Sequence, residues 1–359
     1  MSNEKNLNRL NQELETLPPL VHEYVQAKSI VPYSLVTLYE YAKEFRRFFE
    51  WLVAESVVQV EISYISISDL EKLKKEDMDL YKSYLMSSPR QGTTQDGGLR
   101  SHVTIQRAIT ALRSLFHYLA NQTEDNKGKP YLSQNVMLKI DNVKTGRTLQ
   151  DRSRAIEKKI LIGSESVAFL EYINHDYEAT LTSHQAVHAF RRNKERDLAI
   201  IALFLGTGIR LSELVNMKIS DLDIHNMEAT VIRKGGFRDT TMISSMFMDH
   251  ITTYYHAREK LYQPDQREKS LFLTTYKQEA KRIDQSTVEK LVSKYSASFK
   301  TKMTPHKLRH TVGTQLYKNT NSLLTVSHQL GQTGTSATSL YTHIVDKEKR
   351  DAINDLWQN

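Results

Sequence analysis

Thr304-Pro305-His306-Lys307-Leu308-Arg309 sets a titratable imidazole and a fixed guanidinium three residues apart, just after a proline. Pro305 predicts the first turn of a helix, where its missing N–H leaves no bond unmade. Thr304 is the expected cap, its hydroxyl accepting from a free backbone amide. The i, i+3 spacing puts His306 and Arg309 on one helical face. The helix N-terminus adds its partial positive charge beside them. The product is a compact anion site with one proton carrier and one permanent cation. Downstream, Leu340-Tyr341-Thr342-His343 offers a phenol as a nucleophile. Neither half is specific alone: an exposed His-x-x-Arg face is ordinarily solvated, and one tyrosine among 18 is ordinarily a core or surface residue.

A third stretch lies upstream, Gly206-Thr207-Gly208-Ile209-Arg210-Leu211-Ser212-Glu213-Leu214, where the apolar run from Leu198 to Leu205 meets glycines and then Arg210. Between the two, Val231-Ile232-Arg233-Lys234-Gly235-Gly236 reads as a strand entering a turn. Arg210, Lys234, His306-x-x-Arg309 and Tyr341, in that order, resemble the tyrosine recombinase family, also called phage-type integrases. The resemblance spans roughly residues 166–357. Within the family the chain is most similar to the Xer recombinases, and among them to the branch that works with a single recombinase.

That resemblance implies a definite chemistry. A tyrosine hydroxyl attacks a DNA phosphorus, forms a 3′-phosphotyrosine and expels a 5′-hydroxyl. Negative charge builds on the non-bridging oxygens, and preorganised cations aimed there are the main lever. Arginine suits the task because its planar fork is always charged and binds two oxygens at once. Arg210 and Arg309 are the candidates. Lys234 is the expected general acid for the leaving hydroxyl; read alone, it is an exposed turn lysine. His306 either accepts the Tyr341 proton or bonds the phosphate. The family pattern carries a histidine or tryptophan in a Leu-Gly-His-like stretch, and here that stretch is Leu330-Gly331-Gln332-Thr333. Gln332 can donate a hydrogen bond but cannot shuttle a proton, so reduced but not abolished activity is expected. His310 and His343 flank the motifs and are read as structural or DNA-contacting. No carboxylate cluster suited to magnesium is evident, so neither a metal nor a cofactor is expected.

The elements that must position these groups follow from composition and period. With 359 residues the chain has room for about two domains. Hydrophobic residues make up 39%, and no apolar run approaches the length of a membrane span. The N-terminus carries no hydrophobic signal region and there is no cysteine, which agrees with a cytoplasmic protein, and the resemblance implies association with the nucleoid. Lysine and arginine number 49 against 42 acids, a net +7 that suits a polyanionic partner or, equally, a merely basic surface.

The expected fold is mainly α with a small β-hairpin in the catalytic domain, an α+β class. Residues 1–122 read as a small domain of four or five helices. The first 18 residues are polar and end at Pro18-Pro19. Helices are expected over Leu20–Lys28, from Leu35 with Ser34 as cap, from Ser68 through Met86, and from Val103 to Ala120. A polar loop is expected over Pro89–Gly98. Arg100, Arg107 and Arg113 lie on or beside the last of these helices and are candidate phosphate contacts, or simply a solvated face. Residues 123–165 read as an extended basic linker, with Lys144 and Arg147 as candidate DNA contacts. The catalytic domain is expected over 166–359. Residues 174–194 show no clear period; a buried helix follows over Asp197–Leu205, a hairpin over Met227–Ile243, and the rest is mostly helical, including 334–341. The tail, 346–359, carries Ala352, Ile353, Leu356 and Trp357 in a helical pattern that needs covering.

By resemblance, the two domains form a C-shaped clamp on double-stranded DNA, and the tail exchanges cyclically between protomers of a DNA-bound homotetramer. The implied activity is site-specific recombination without ATP, resolving chromosome dimers at a dif-like site before cell division. A cell-division DNA translocase is a further implied partner. The alternatives are an integrase of a mobile element with the same chemistry and, from another class, a DNA-binding regulator with an inert tyrosine. A type IB topoisomerase shares the chemistry but needs no second site and no exchanged tail.

Overall fold

Two separate apolar cores organise the chain, whose computed structural model describes residues 2–31, 33–88, 99–143, 151, 156–157, 159–233, 236–332 and 341. Residues 1–146 form one unit and 147–359 the other.

The first unit is helical. Its helices are α1 (Ser2–Leu14), α2 (Pro19–Ile30), α3 (Leu35–Ala54), the short α4 (Ile67–Glu71), α5 (Lys75–Ser87) and α6 (His102–Asn121). The Ser34 hydroxyl caps α3 as expected, accepting from the Thr37 amide at 3.1 Å. Leu38, Ala42, Phe45, Phe49 and Leu52 on α3, and Ile105, Ile109, Leu112, Phe116 and Leu119 on α6, are buried in the shared core. Both sets follow the 3.6-residue period read from the sequence.

Three features differ from expectation. The polar first stretch forms α1, held on α3 by Leu10 and Leu14, which are buried one turn apart. The expected single helix over 68–86 is two helices. The Asp77 carboxylate accepts from the Lys74 amide at 2.8 Å and starts a new helix, while Leu70 and Leu73 are buried at the bend. The basic linker does not begin at 123. Leu132, Val136, Met137 and Ile140 pack into the first core, and residues 136–139 form a 3-10 turn. Four apolar residues scattered among polar ones gave no period, yet each fills a gap in an existing core. The expected loop over 89–98 lies outside the described residues.

The second unit contains α7 (Glu165–Glu171), α8 (His184–Thr207), α9 (Leu211–Asn216), α10 (Met248–Tyr262), α11 (Gln285–Phe299), α12 (Pro305–Thr320) and α13 (Leu323–Leu330). Helix α8 starts well before the expected Asp197, with Ser183 capping the Ala186 amide at 3.1 Å. Its first half is largely exposed and so shows no apolar period; residues 196–207 are all buried, and Leu198–Leu205 within them read as a continuous apolar run. Helices α10 and α12 pack on α8, and α13 packs on α12.

Strands β1 (Leu222–Asp223), β2 (Glu228–Ile232) and β3 (Arg238–Met242) form an antiparallel sheet in the order β1-β2-β3, with Glu228 opposite Met242 and Ile232 opposite Arg238. This is the expected hairpin with one short strand added. A second hairpin, β4 (Leu273–Tyr276) and β5 (Glu279–Arg282), was not evident from sequence. Its turn uses Lys277 and Gln278 at φ 49° and 66° in place of glycine, so the usual turn signal is missing.

Candidate active site

Helix α8 ends at Gly208, whose φ of 72° is left-handed. A side chain there would meet Leu330 Cδ2 at 2.5 Å, so glycine lets α8 stop directly against α12 and α13. The turn delivers Arg210 to the start of α9. Its backbone amide donates to Glu213 Oε2 at 2.7 Å, and its Nη1 donates to Glu213 Oε1 at 2.8 Å. Its Nη2 reaches the Gly331 carbonyl at 3.0 Å. One carboxylate therefore fixes both the helix start and the guanidinium.

Pro305 opens α12 as predicted, but the Thr304 hydroxyl does not cap it. The Thr304 carbonyl instead accepts from the Lys307 and Leu308 amides at 2.8 and 3.2 Å. Arg309 is 3% exposed. It donates to the Gly208 carbonyl at 2.7 Å and to the Leu330 carbonyl at 2.6 Å. Burial, and next the positive charge of Arg210, pull its pKa down to about 10. That is the signature of a cation short of a counter-anion. His306 presents its surface to solvent, yet atoms crowding its ring, then Arg309, Lys307 and Arg210, lower its pKa below the ordinary histidine value. Arg210, His306 and Arg309 line one cleft of about 440 Å³, together with Ser212 and Glu289 among others.

Tyr341 is 0% exposed and belongs to a small apolar cluster with Tyr317, Val326 and Leu330, between α12 and α13. Gly313 of α12 is its floor, since a Cβ there would lie 2.5 Å from Tyr341 Cζ. The phenol oxygen is 3.2 Å from His310 Nδ1. Burial raises the Tyr341 pKa; Arg309 and a hydrogen bond with the Gln332 side chain oppose the rise. Burial and the neighbouring His306, Lys307 and Arg309 push His310 down to about 3. Near neutrality His310 is therefore uncharged and the phenol keeps its proton. Gln332 is anchored by its backbone, its amide donating to the Ser327 carbonyl at 3.0 Å and its carbonyl accepting from Ser327 Oγ at 2.6 Å. Its Oε1 is buried with no partner among the described residues.

The structure thus brings Arg210, His306 and Arg309 to one cleft, and Gln332 to Tyr341. Lys234, Lys144, Arg147, residues 334–340 and the tail 346–359 lie outside the described residues. In the first unit, Arg107 pairs with Glu44 at 3.3 Å and Glu40 at 3.4 Å. Arg113 donates to the Asn142 side chain and the Ile140 carbonyl, tying α6 to the segment that follows it. Arg100 is buried, with its Nε unpartnered among the described residues.

Three residues of the site escaped the sequence reading. Glu213, which organises Arg210, carried a usable signal: it stands three residues after Arg210, the residue before the helix, where a carboxylate caps. His310, read as structural or DNA-contacting, touches the phenol. Arg233 carried no signal at all. It donates to Glu213 Oε2 at 3.1 Å, to Asp239 Oδ2 at 2.9 Å, and to the Leu330 and Gln329 carbonyls, both at 3.3 Å.

Residues 175–348 match the Phage integrase family. The chain is 44% identical over 357 residues to "Tyrosine recombinase XerS" of Lactococcus lactis subsp. cremoris, covering 99% of this chain and 100% of that protein. The chain belongs to the tyrosine recombinases and is a site-specific recombinase. It is also 42% identical to "Tyrosine recombinase XerS" of Streptococcus pyogenes serotype M28, again over 99% of this chain and 100% of that protein. The XerH site-specific recombinase, solved in a post-cleavage complex with a palindromic difH substrate, shares the fold with a TM-score of 0.61 at 21% identity, covering 91% of this chain and 81% of that one. No helix among the described residues is long and apolar enough to cross a membrane.

Proposed function

We propose that the chain cuts and rejoins two DNA duplexes at a dif-like site through a 3′-phosphotyrosine at Tyr341, and so resolves chromosome dimers before division. The observation that carries the chemistry is Arg309: a buried guanidinium bonded only to carbonyls among the described residues, depressed to about 10, and facing the same cleft as Arg210 and His306. A phosphodiester is the anion that completes it. Arg309 and Arg210 hold the non-bridging oxygens and stabilise the charge that grows there, each such donor contributing about 3–4 kcal/mol. Lys234 protonates the leaving 5′-oxygen. His306 bonds the phosphate, and Gln332 orients the phenol. A fully buried phenol is out of reach of a duplex, so cleavage requires Tyr341 to leave His310 and the floor at Gly313.

In this reading the first unit clamps the DNA, with Arg100, Arg107, Arg113, Lys144 and Arg147 as phosphate contacts; Arg107 and Arg113 exchange their present partners for phosphates when they do so. The working form is a homotetramer on DNA whose 346–359 tails pass cyclically between protomers, as a heterologous contact closing a ring requires. A cell-division DNA translocase is the fitting partner for timing, and the nucleoid in the cytoplasm is the place.

The test is covalent trapping. A duplex is selected by binding from a randomised pool, nicked beside the cut, incubated with the protein and denatured. An adduct from the wild-type chain that vanishes in Tyr341→Phe is the expected result. An adduct surviving in Tyr341→Phe, or none on any selected duplex, overturns the proposal.

A further inference from the structure

Arg233 has no role in the chemistry described so far, yet it is 9% exposed and makes four charge-assisted hydrogen bonds. Its partners are informative. Nη1 donates to Glu213 Oε2, the same oxygen that accepts the Arg210 amide, while the other Glu213 oxygen accepts Arg210 Nη1. Glu213 is thus shared between two guanidiniums and cannot turn toward either without losing the other. On its far side, Arg233 donates to the Gln329 and Leu330 carbonyls at the C-terminus of α13. Arg309 donates to the same Leu330 carbonyl, and Arg210 to the next one, Gly331. Three guanidiniums therefore converge on three consecutive carbonyls, at the end of a helix whose dipole favours cations. The chain passes from there directly into Gln332.

Gly331 confirms how tightly this is built. A Cβ on Gly331 would overlap the Arg233 guanidinium, and its φ of 56° is left-handed. Asp239, across the hairpin on β3, takes the remaining Nε bond at 2.9 Å. Arg233 therefore pins three things to one another: the hairpin that leads into Lys234, the carboxylate that aims Arg210, and the turn that leads to Gln332.

We propose that Arg233 is a positioning residue for strand cleavage, acting through Glu213 on Arg210 and through the 329–331 carbonyls on the turn before Gln332. It does not touch the phosphate. Its fork is needed because one planar group must serve a carboxylate on each side and carbonyls beyond, which a single ammonium cannot do. The inference rests on the recombinase reading for its consequence, but its geometry can be tested without DNA.

The experiment uses the full chain with Arg233→Met, Arg233→Lys and the milder Asp239→Asn, which leaves Glu213 paired. On the selected nicked duplex, Arg233→Met is expected to bind DNA within threefold of wild type but form the adduct about ten- to a hundredfold more slowly, the range usual for outer-shell partners. Arg233→Lys recovers part of the loss, and Asp239→Asn loses least. On the same duplex with a methyl group replacing one non-bridging oxygen of the scissile phosphate, the charge that Arg210 answers is gone, and the defect of Arg233→Met should shrink. Without DNA, the His306 ring is titrated by NMR, with His306→Gln for assignment. Release of Arg210 in Arg233→Met moves the His306 midpoint upward, since Arg210 is one of the cations holding it down.

Wild-type adduct rates in Arg233→Met, an equal defect on the methyl-bearing duplex, or an unmoved His306 midpoint would each overturn the proposal. Parallel losses of melting temperature, DNA binding and rate in all three variants would reduce Arg233 to a structural residue and overturn it too. Absence of any wild-type adduct sinks the recombinase reading instead, and the His306 titration then still decides whether Arg233 sets Arg210.

Discussion

Two buried arginine clusters in the second unit are built on opposite charge balances. In the first, Arg196 of α8 pairs with its neighbour Asp197 at 2.7 Å, and the Tyr295 hydroxyl donates to the same carboxylate at 2.6 Å. Burial opposes the Arg196 charge most strongly, but Asp197 together with Tyr262 and Tyr254 outweighs it and the pKa is raised. In the second, Arg210 and Arg233 share Glu213, Arg233 also pairs with Asp239, and Arg309 bonds only carbonyls among the described residues and is depressed to about 10. The first cluster is closed; each charge has its partner within the fold. The second is one anion short, and its surplus is turned toward a cleft. Burial alone does not mark a functional arginine. An uncompensated buried charge does, because folding gains nothing from leaving it so.

Removing the cation from each cluster should therefore separate stability from activity. Arg196→Gln leaves Asp197 buried without its counter-charge, and unfolding in urea should reveal a loss of about 3–5 kcal/mol. Arg309→Gln removes an unpaired charge, so its denaturation midpoint should change little while adduct formation falls by about a hundred- to a thousandfold. If Arg309→Gln unfolds as readily as Arg196→Gln, the distinction between a closed and an open cluster is wrong.

The histidines beside the open cluster should add a pH signature. His310 is held near 3 in the folded chain, against an ordinary value near 6.5 when unfolded. Below the unfolded value the unfolded state binds the proton and the folded state does not, so stability is complete above about pH 6.5 and falls as pH drops toward 3. The slope from this one group is at most about 1.4 kcal/mol per pH unit. His306 acts in the same direction, with a smaller shift and more exposure. Urea melts of wild type and His310→Asn between pH 7 and 5 would test this. The variant should show a shallower loss, and an identical slope would place the acid sensitivity elsewhere.

What was legible in the sequence follows the same division. Arg210, His306, Arg309 and Tyr341 stand in local patterns whose order carries meaning, and helices with one buried face, such as α3 and α6, declare themselves by period. What depends on distant partners was hidden. Arg233 gains its role from Glu213, twenty residues back, and from carbonyls nearly a hundred residues ahead. His310 meets Tyr341 only because α12 and α13 fold together. The exposed half of α8, the polar α1 and the glycine-free turn of β4-β5 lacked the local signals from which elements are read. Residues 131–140 looked like a linker because the core they fill belongs to other helices.

The smallest effect, and the finest test of the open cluster, is Gln332→His. The amide now bonds Tyr341 and leaves its Oε1 buried without a partner among the described residues. An imidazole in its place keeps a donor toward the phenol or a phosphate oxygen and adds a group able to carry a proton. Set against the same buried phenol as His310, it would be held neutral as His310 is. Its gain as a proton carrier is therefore small, and the expected increase in adduct rate is about tenfold or less, below the usual range for general acid–base groups. A rate that stays level or falls would show that Gln332 acts through its hydrogen bond alone. In that case the surplus charge of the three arginines, and not proton transfer at this position, sets the speed of cleavage.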